Sequence, residues 1–414
     1  MRMPSTDYRD PACINSTTGT KPDWAGLARD LDALDGKHYR VYRRLSRTYQ
    51  HRQFSLVVDR VQNDPYTSPS RLRAVMRWTQ AGFPTRYLKS EVHKIALCDY
   101  VTRRCAALIT AKSTESDATR SEGWSVTRRT AFNINAPGQE VLPRSSAIVN
   151  GTDTIGLRFT AHLPGPGRRC RAALARQILM ANLVELVQLT LLYGNLDKRA
   201  LDAHVTSVVN QHQLRQQLYG LGLVAFVANR SSLPRESGAG ARPMTGDVVS
   251  FKSPEELEIT VKLADGSTVR GMGIARGITV ITGGGFNGKS TLLEALELGV
   301  YDHIPGDGRE LIVAHPTAVK IRAEDGRIVT GTDITQFLGS LPGGKDAMCF
   351  STENASGSTS MAANIAEALL EVGCKTLLVD ADSSATNLLV RDERMQMLIQ
   401  HEPTTPLISV ARAL

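Results

Sequence analysis

An α/β fold is what this sequence predicts, and three observations predict it. A short apolar run, Ile278–Ile281, leads into a glycine loop, Gly283–Thr291, and then into a helix-like run, Leu292–Leu298. A second apolar run, Thr376–Val379, ends on a carboxylate, Asp380, as a buried parallel strand would. In the first 250 residues, helical periodicity alternates with strand runs and hairpin signals, which reads as an α+β domain ahead of the α/β core.

Taken in order, residues 1–24 are rich in Ser, Thr, Pro and Asp and are expected to form a mobile tail. From Trp24 the spacing of Leu27, Leu31 and Leu34 predicts a helix, followed by a basic stretch at Tyr39–Arg47. Phe54–Val61 predicts a strand, Asp64–Arg71 a Pro-rich turn, and Ser113–Glu122 a polar loop without apolar periodicity. Ile148–Ala161 holds two strand-like runs around Asn150-Gly151, a hairpin signal. Helical stretches cover Arg171–Tyr193 and Lys198–Leu221. The longest apolar run, Ile178–Tyr193, is broken by Asn182, Glu185 and Gln188, so it predicts a core helix rather than a bilayer span. Leu233–Asp247 reads as a linker or surface loop. Glu258–Leu263 and Thr268–Met272 flank Asp265-Gly266, a second hairpin signal. Hydrophilic connections at Ile304–Glu310 and Lys320–Arg327 follow the glycine loop, and Ala362–Glu371 is helix-like. The expected division is a mobile tail at 1–24, a basic domain at 25–250 and a nucleotide-binding domain at 251–414.

Composition narrows the class. A chain of 414 residues with 42% hydrophobic content can bury cores in two or three domains. The formal charge is +8, yet Lys37–Arg104 alone carries 15 Lys/Arg against Asp59, Asp64, Glu91 and Asp99. A local excess larger than that of the whole chain points to a polyanionic partner such as RNA; the plainer reading is a solvated basic face. Tyr39, Tyr42, Tyr49, Tyr66, Trp78 and Tyr87 are interleaved with these cations and are candidates to stack on bases, or else to fill the domain's core. The six cysteines form no C-x-x-C pair, and the nine histidines no metal or triad spacing. The opening residues are too polar for a secretory signal, and no long acid-free amphipathic helix follows. The expected compartment is therefore the cytoplasm, with the mitochondrial matrix as the alternative, and no membrane partner is expected.

The glycine loop carries the chemistry. It fits G-x-x-x-x-G-K-[ST], with Gly283, Gly288, Lys289 and Ser290 at the fixed positions and Gly284, Gly285, Phe286, Asn287 and Thr291 completing it. Glycines let backbone N–H groups converge on one centre, and the following helix adds its positive end. Such a loop takes the phosphates of a nucleoside triphosphate, with Lys289 on the β- and γ-phosphates and Ser290 on Mg²⁺. Asp380 is the candidate second metal anchor; alternatively it caps the turn that follows it. Ser356, Gly357 and Ser358, just ahead of a helix-like run, form a second set of hydroxyl and N–H groups of the kind that binds phosphate.

This order of glycine loop, long insertion, ASGSTS (Ala355–Ser360), apolar strand with Asp380, and SATN (Ser384–Asn387) resembles the ATP-binding cassette arrangement. More narrowly, the chain resembles the soluble predicted ATPases of the ABC class. The resemblance rests on Gly36–Tyr49, Val61–Arg73, Ala136–Arg144, Gly222–Arg235, Gly283–Glu310, Ala318–Arg327, Phe350–Ser360 and Arg391–Gln396. It implies a non-transporter ABC-type P-loop core behind a family-specific N-terminal domain. Ser356, Gly357 and Ser358 then stand for the signature motif, and Ser384, Ala385, Thr386 and Asn387 for the D-loop. In such dimers the signature of one subunit completes the other's site, so a head-to-tail homodimer is implied. No motif places the adenine-stacking or Q-loop residues; Phe251 and Gln336 are the candidates.

Three departures stand out. Where the resemblance expects a water-polarising glutamate after Asp380, the chain has Ala381, which has no proton acceptor; Asp382 is the nearest carboxylate to take a catalytic role beside Lys289. Met361 replaces an expected glutamine. The segment up to Leu414 also ends about where a further core strand and its γ-phosphate switch are expected, leaving an uncovered sheet edge. ATP binding with slow or no hydrolysis is the expectation. The alternative is an RNA-binding scaffold with a degenerate ATP site. Met361–Asp382 also looks like the helix and strand of ParA/MinD-type ATPases, but no lysine stands in the loop before it.

Overall fold

Alternating burial sets the architecture of the first unit. In the computed structural model, which describes residues 23–118, 131–238, 240–339, 341, 346–391, 394, 397 and 404–412, the chain divides into two compact units. The first comprises Met1–Thr85, Tyr100–Ala136 and Arg144–Asp197, the second Arg86–Asp99, Pro137–Pro143 and Lys198–Leu414. The tail expected over 1–24 lies, but for its last two residues, outside the described residues.

The first unit is built on an antiparallel sheet. Strands β1 (Thr48–Gln50), β2 (Ser55–Arg60), β3 (Ser70–Arg77), β4 (Phe132–Asn133), β6 (Ala147–Asn150) and β7 (Thr154–Ala161) are ordered β1-β2-β3-β7-β4, with β6 also on β7. The expected hairpin over 148–161 is β6 and β7, in register from Ala147 opposite Leu157 to Asn150 opposite Thr154. Leu72, Ala74 and Met76 alternate inward from β3, and Ile155, Leu157 and Phe159 from β7. Helix α1 (Trp24–Asp32) opens on Asp23, whose side chain accepts the Gly26 N–H at 2.7 Å, and buries Leu27 and Leu31 as the leucine spacing predicted.

The tyrosines resolve in favour of the core. Tyr39, Tyr42, Tyr49 and Tyr87 are buried, as is Trp78, so they are not available to stack on bases; Tyr66 is exposed. Each buried phenol finds an acceptor: Tyr39 donates to Leu163 O, Tyr42 to Pro164 O, Tyr49 to Asp30 and Tyr87 to Asp202. The basic stretch is a 3₁₀ turn, Tyr39–Leu45, that puts both tyrosines inward and Arg40, Arg43 and Arg44 outward.

Three helical expectations need adjustment or comment. Helix α2 (Glu91–Ala118) runs through the polar stretch expected to be a loop from Ser113, because extending an existing helix is far cheaper than nucleating one; residues 119–122 are outside the described set. Helix α3 (Ala172–Leu191) contains a π segment at Gln177–Asn182. It is long and apolar enough to cross a membrane, but Leu179, Leu183, Leu186, Val187 and Leu191 are buried in the protein. Helix α4 (Lys198–Gly220) belongs to the second unit, whose longest segment runs from Lys198 to Leu414. Its Leu214 and Leu218 pack with Phe226, Val261 and Val313 of the adjoining sheet.

That sheet is antiparallel, in the order β12 (Ile312–Ala314), β8 (Leu223–Ala228), β10 (Thr268–Ala275), β9 (Glu258–Lys262). Gly271 is required where β10 meets β8: a Cβ there would lie 2.3 Å from Val227 O. Short antiparallel pairs join β5 (Glu140–Val141) to β11 (Asp302–His303) and β14 (Val329–Thr332) to β15 (Phe350–Thr352). β13 (Ala318–Ile321) and β16 (Thr376–Val379) pair in parallel. The parallel pairing expected of β16 is present, but its side chains are half-buried rather than buried.

The expected strand at Ile278–Ile281 is not one. The segment has no ladder partner among the described residues, and Ile278 and Val280 are 61% and 75% exposed. Neighbouring strands, not apolar sequence, make a strand, and β10 stops at Ala275.

Candidate functional site

The glycine loop bends because two residues adopt left-handed backbone. Gly288, with φ of 78°, is the N-cap of helix α5 (Lys289–Leu298), and Phe286 has φ of 60°. For a bulky aromatic that conformation is strained, by about 1–3 kcal/mol. Phe286 is fully exposed, so packing does not offset the strain. Phe286→Gly is therefore expected to raise stability by about 1 kcal/mol. A denaturation midpoint unchanged or lowered by the substitution would refute this.

Alternating backbone of this kind turns successive N–H groups to one side. Among the described residues, the N–H groups of Gly284, Gly285, Phe286 and Gly288 donate to no protein acceptor. No side chain caps the first turn of α5 either. The Lys289 ammonium folds back across the loop and donates to Gly284 O at 2.6 Å. Ser290 is exposed in the same first turn, Thr291 is half-buried behind it, and Asn287 lies beside Gly284. Free amides, one ammonium and a helix N-terminus together are the donor set a polyphosphate requires, so the residues present fit that group.

Packing couples this loop to the strand that carries Asp380. Leu292, Ala295 and Leu296 of α5 share one apolar cluster with Val227, Ile312 and Ala314 of the antiparallel sheet and with Leu378 of β16. Lys320 of β13 reaches Glu297 of α5 at 2.9 Å. Asp380 follows β16 directly, half-buried, and accepts the Asp382 N–H at 3.3 Å while its carbonyl accepts Ser384 Oγ at 2.6 Å. The capping alternative is thus realised for this carboxylate. Ala381 and Asp382 are exposed on the short turn beyond it, and the Asp382 carboxylate has no partner among the described residues.

The other predicted motifs meet one another. Helix α6 (Gly357–Leu370) begins at Gly357, five residues before the expected start, with Ser356 as its N-cap. Ser356 Oγ is 3.0 Å from Thr359 Oγ1 and does not cap the helix amides; Ser358 is half-buried with no side-chain bond among the described residues. A Cβ on Gly357 would lie 3.9 Å from Ala385 Cβ, so the Ser356–Ser358 and Ser384–Asn387 segments abut within the chain. Thr386 and Asn387 are exposed on the next helical turn, anchored by buried Leu388. Met361 is fully buried among Ile365, Phe350 and Leu388, which explains an apolar residue there. Ser360 Oγ accepts the Glu324 N–H at 2.9 Å, and Arg327 pairs with Glu367, fixing the 324–327 loop beside the start of α6. Of the two residues no motif placed, Gln336 is exposed in a turn and Phe251 packs partly on the α5 cluster.

One group of residues was not legible in advance. His303 is buried, as are Asp307 and Arg309 in the connection that reads as hydrophilic. Asp307 Oδ2 lies 2.7 Å from Arg235 Nη2 and 3.0 Å from His303 Nδ1. Arg309 donates to Leu233 O at 2.9 Å and lies 3.7 Å from Glu294 of α5. Gln211 of α4 exchanges hydrogen bonds with the His303 backbone at 2.6 and 2.8 Å. Burial alone would raise the Asp307 carboxyl, but His303 and Arg235 outweigh it and hold the group below the usual aspartate range. Burial lowers the Arg309 guanidinium, with Arg235 adding to the effect. This network braces the helix that follows the glycine loop.

Comparison with known proteins agrees with the geometry. Residues 197–414 match a family described as the P-loop domain of ABC-type ATPases, and residues 25–194 match the N-terminal domain of ATPases of the ABC class. The chain is 39% identical over 196 residues to a protein of Methanocaldococcus jannaschii named uncharacterized protein MJ1628. That match covers 44% of this chain and 42% of the relative, so the chain spans less than half the length of that protein.

Proposed function

On the premise that this chain belongs to the ATPases of the ABC class, as its two family matches show, we propose that it binds ATP at residues 283–291 and hydrolyses it slowly. The observation that carries the reading is the set of unshared amides at Gly284, Gly285, Phe286 and Gly288 under the Lys289 ammonium. Lys289 exchanges its bond to Gly284 O for phosphate oxygens, and the α5 amides hold the anion in place. Ser290 and Asp380 are the residues that hold Mg²⁺, which neutralises phosphate charge when bound. Slow turnover follows from Ala381, because nothing at that position accepts a proton from water. Two copies associating head to tail, each with Ser356, Gly357 and Ser358 facing the other's nucleotide, make the working unit. Nucleotide-driven closure of this dimer acts on a polyanionic partner, RNA in the first instance, held by the basic N-terminal domain.

One observation favours a second reading, a nucleic-acid-binding scaffold with a degenerate ATP site: the Asp380 carboxylate is already engaged with Asp382 N–H. ATP titration with and without Mg²⁺, followed by melting temperature, separates the two; no nucleotide-dependent shift leaves the scaffold. Restoring the missing group tests the slow step. Ala381→Glu is expected to raise Mg²⁺-dependent ATP turnover by on the order of 10²-fold, the low end of what a positioned base contributes. Unaltered phosphate release in a variant that binds ATP normally would rule out the empty base position as the cause.

A further inference from the structure

Strand alternation in the first unit leaves one face of the sheet open, and that face is basic. The outward positions are Arg71, Arg73, Val75 and Arg77 on β3, and Thr154, Gly156, Arg158 and Thr160 on β7. In register, Arg73 stands opposite Arg158, and Arg60 of β2 opposite Arg71. Like charges directly opposite on neighbouring strands are destabilising, so the isolated fold has no use for this arrangement. Asp59 answers Arg73 with a two-pronged bond, both prongs 2.7 Å. Among the described residues the guanidiniums of Arg60, Arg71, Arg77 and Arg158 have neither hydrogen bond nor ion pair. Past Arg77 the face runs into a concavity of about 430 Å³ bordered by Gln50, Ser55 and Gln80 and by two rings, the half-buried His51 and the buried Phe54.

We propose that this open face binds the phosphodiester backbone of a nucleic acid without reading base sequence. Cations two residues apart on a strand sit roughly 6.5–7 Å apart, and those on neighbouring strands about 5 Å apart, a grid of guanidinium forks suited to successive phosphates. The outward positions of β2, β3 and β7 carry no aromatic ring, and the tyrosines of this unit that could have stacked are mostly in its core. Base stacking therefore contributes little here, and the contact is to the backbone. The like-charge pairs are relieved when phosphates lie between them. The inference rests on the polyanion half of the proposed function and is independent of the nucleotide half.

The test is binding of the full chain, without ATP, to labelled oligo(U), oligo(dT) and an RNA duplex across a salt series. The wild type is expected to bind with affinity that falls steeply with salt. Arg60→Gln, Arg71→Gln and Arg158→Gln combined are expected to weaken binding about 10–100-fold and to flatten the salt dependence by about 2 units of slope on single strands. The melting temperature of that variant should hold or rise, because two like-charge pairs are gone. If it falls, Arg71→Glu alone, at an exposed position, gives the same readout with the fold kept. Arg176→Gln, which replaces a helix arginine already paired with Asp32, should leave the affinity within about twofold. Unchanged affinity and slope in the triple variant overturn the surface while the polyanion reading stands; a wild type that binds none of the three probes overturns both. A preference of more than about tenfold between oligo(U) and oligo(dT) refutes backbone-only contact.

Discussion

Lys289→Ala is expected to abolish most of the stabilisation that ATP confers while leaving the nucleotide-free protein nearly as stable as before. The ammonium makes one partly exposed bond, to Gly284 O, so its loss costs the free fold little. In the bound state the same group faces phosphate, where a charge-assisted bond contributes about 2–3 kcal/mol, or roughly 30–150-fold in Kd. At ATP concentrations of about 100 times the wild-type Kd, stabilisation should drop from about 2.7 kcal/mol to under about 1 kcal/mol. Thermal melts with and without Mg-ATP measure this. Equal ATP-induced shifts in wild type and variant would place the nucleotide somewhere other than the glycine loop.

Asp307→Ala is expected to have the largest effect on stability, a loss of about 3–5 kcal/mol. The carboxylate sits fully buried between Arg235 and His303, with Arg309 buried close by. Removing it leaves guanidinium charge in the interior without an answer, which costs more than the pair ever contributed. The effect carries a pH signature. Because the folded carboxyl protonates at lower pH than the unfolded one, its contribution is present above about pH 4 and is lost as pH falls below that toward the folded value. Urea midpoints measured from pH 3 to 7 should show wild type and variant converging at the acid end. A constant gap across that range would mean the carboxylate's charge is not what stabilises the fold. Because Arg309 lies 3.7 Å from Glu294 on α5, the variant should also weaken ATP binding, a loss that a surface ion pair such as Arg176–Asp32 would not cause.

Much of the site could be read from sequence because its chemistry is local. A loop that must present amides needs glycine at fixed spacing, a lysine one turn into reach and a hydroxyl beside it, and Gly283–Thr291 supplies them in consecutive positions. Hairpins announced by Asn150-Gly151 and Asp265-Gly266 formed where turn chemistry put them, as did the helices at 172–191, 198–220 and 289–298. Reading failed where burial was a matter of distant partners. The run 198–221 reads as a helix, but its spacing does not reveal that it packs with β9 and β10, about 40–50 residues beyond, and so belongs to the second unit. The aromatics among the arginines gave the same pattern whether they faced bases or leucines, and only the packing of Tyr39, Tyr42 and Tyr49 decided between them.

By itself, then, the sequence determined the glycine loop, the class of core that carries it, and the concentration of positive charge in the first unit. Each of these is encoded by neighbours in the chain: backbone freedom, turn chemistry and local composition. Tertiary structure alone decided which charges are buried and which are free. Asp307, Arg235 and Arg309 are drawn inside because widely separated segments close around them, whereas Arg71, Arg77 and Arg158 stay outside because strand alternation turns them away from the apolar layer. Local sequence cannot distinguish the two groups, since the energy of a charge depends on the dielectric and the counter-charges that folding gathers around it.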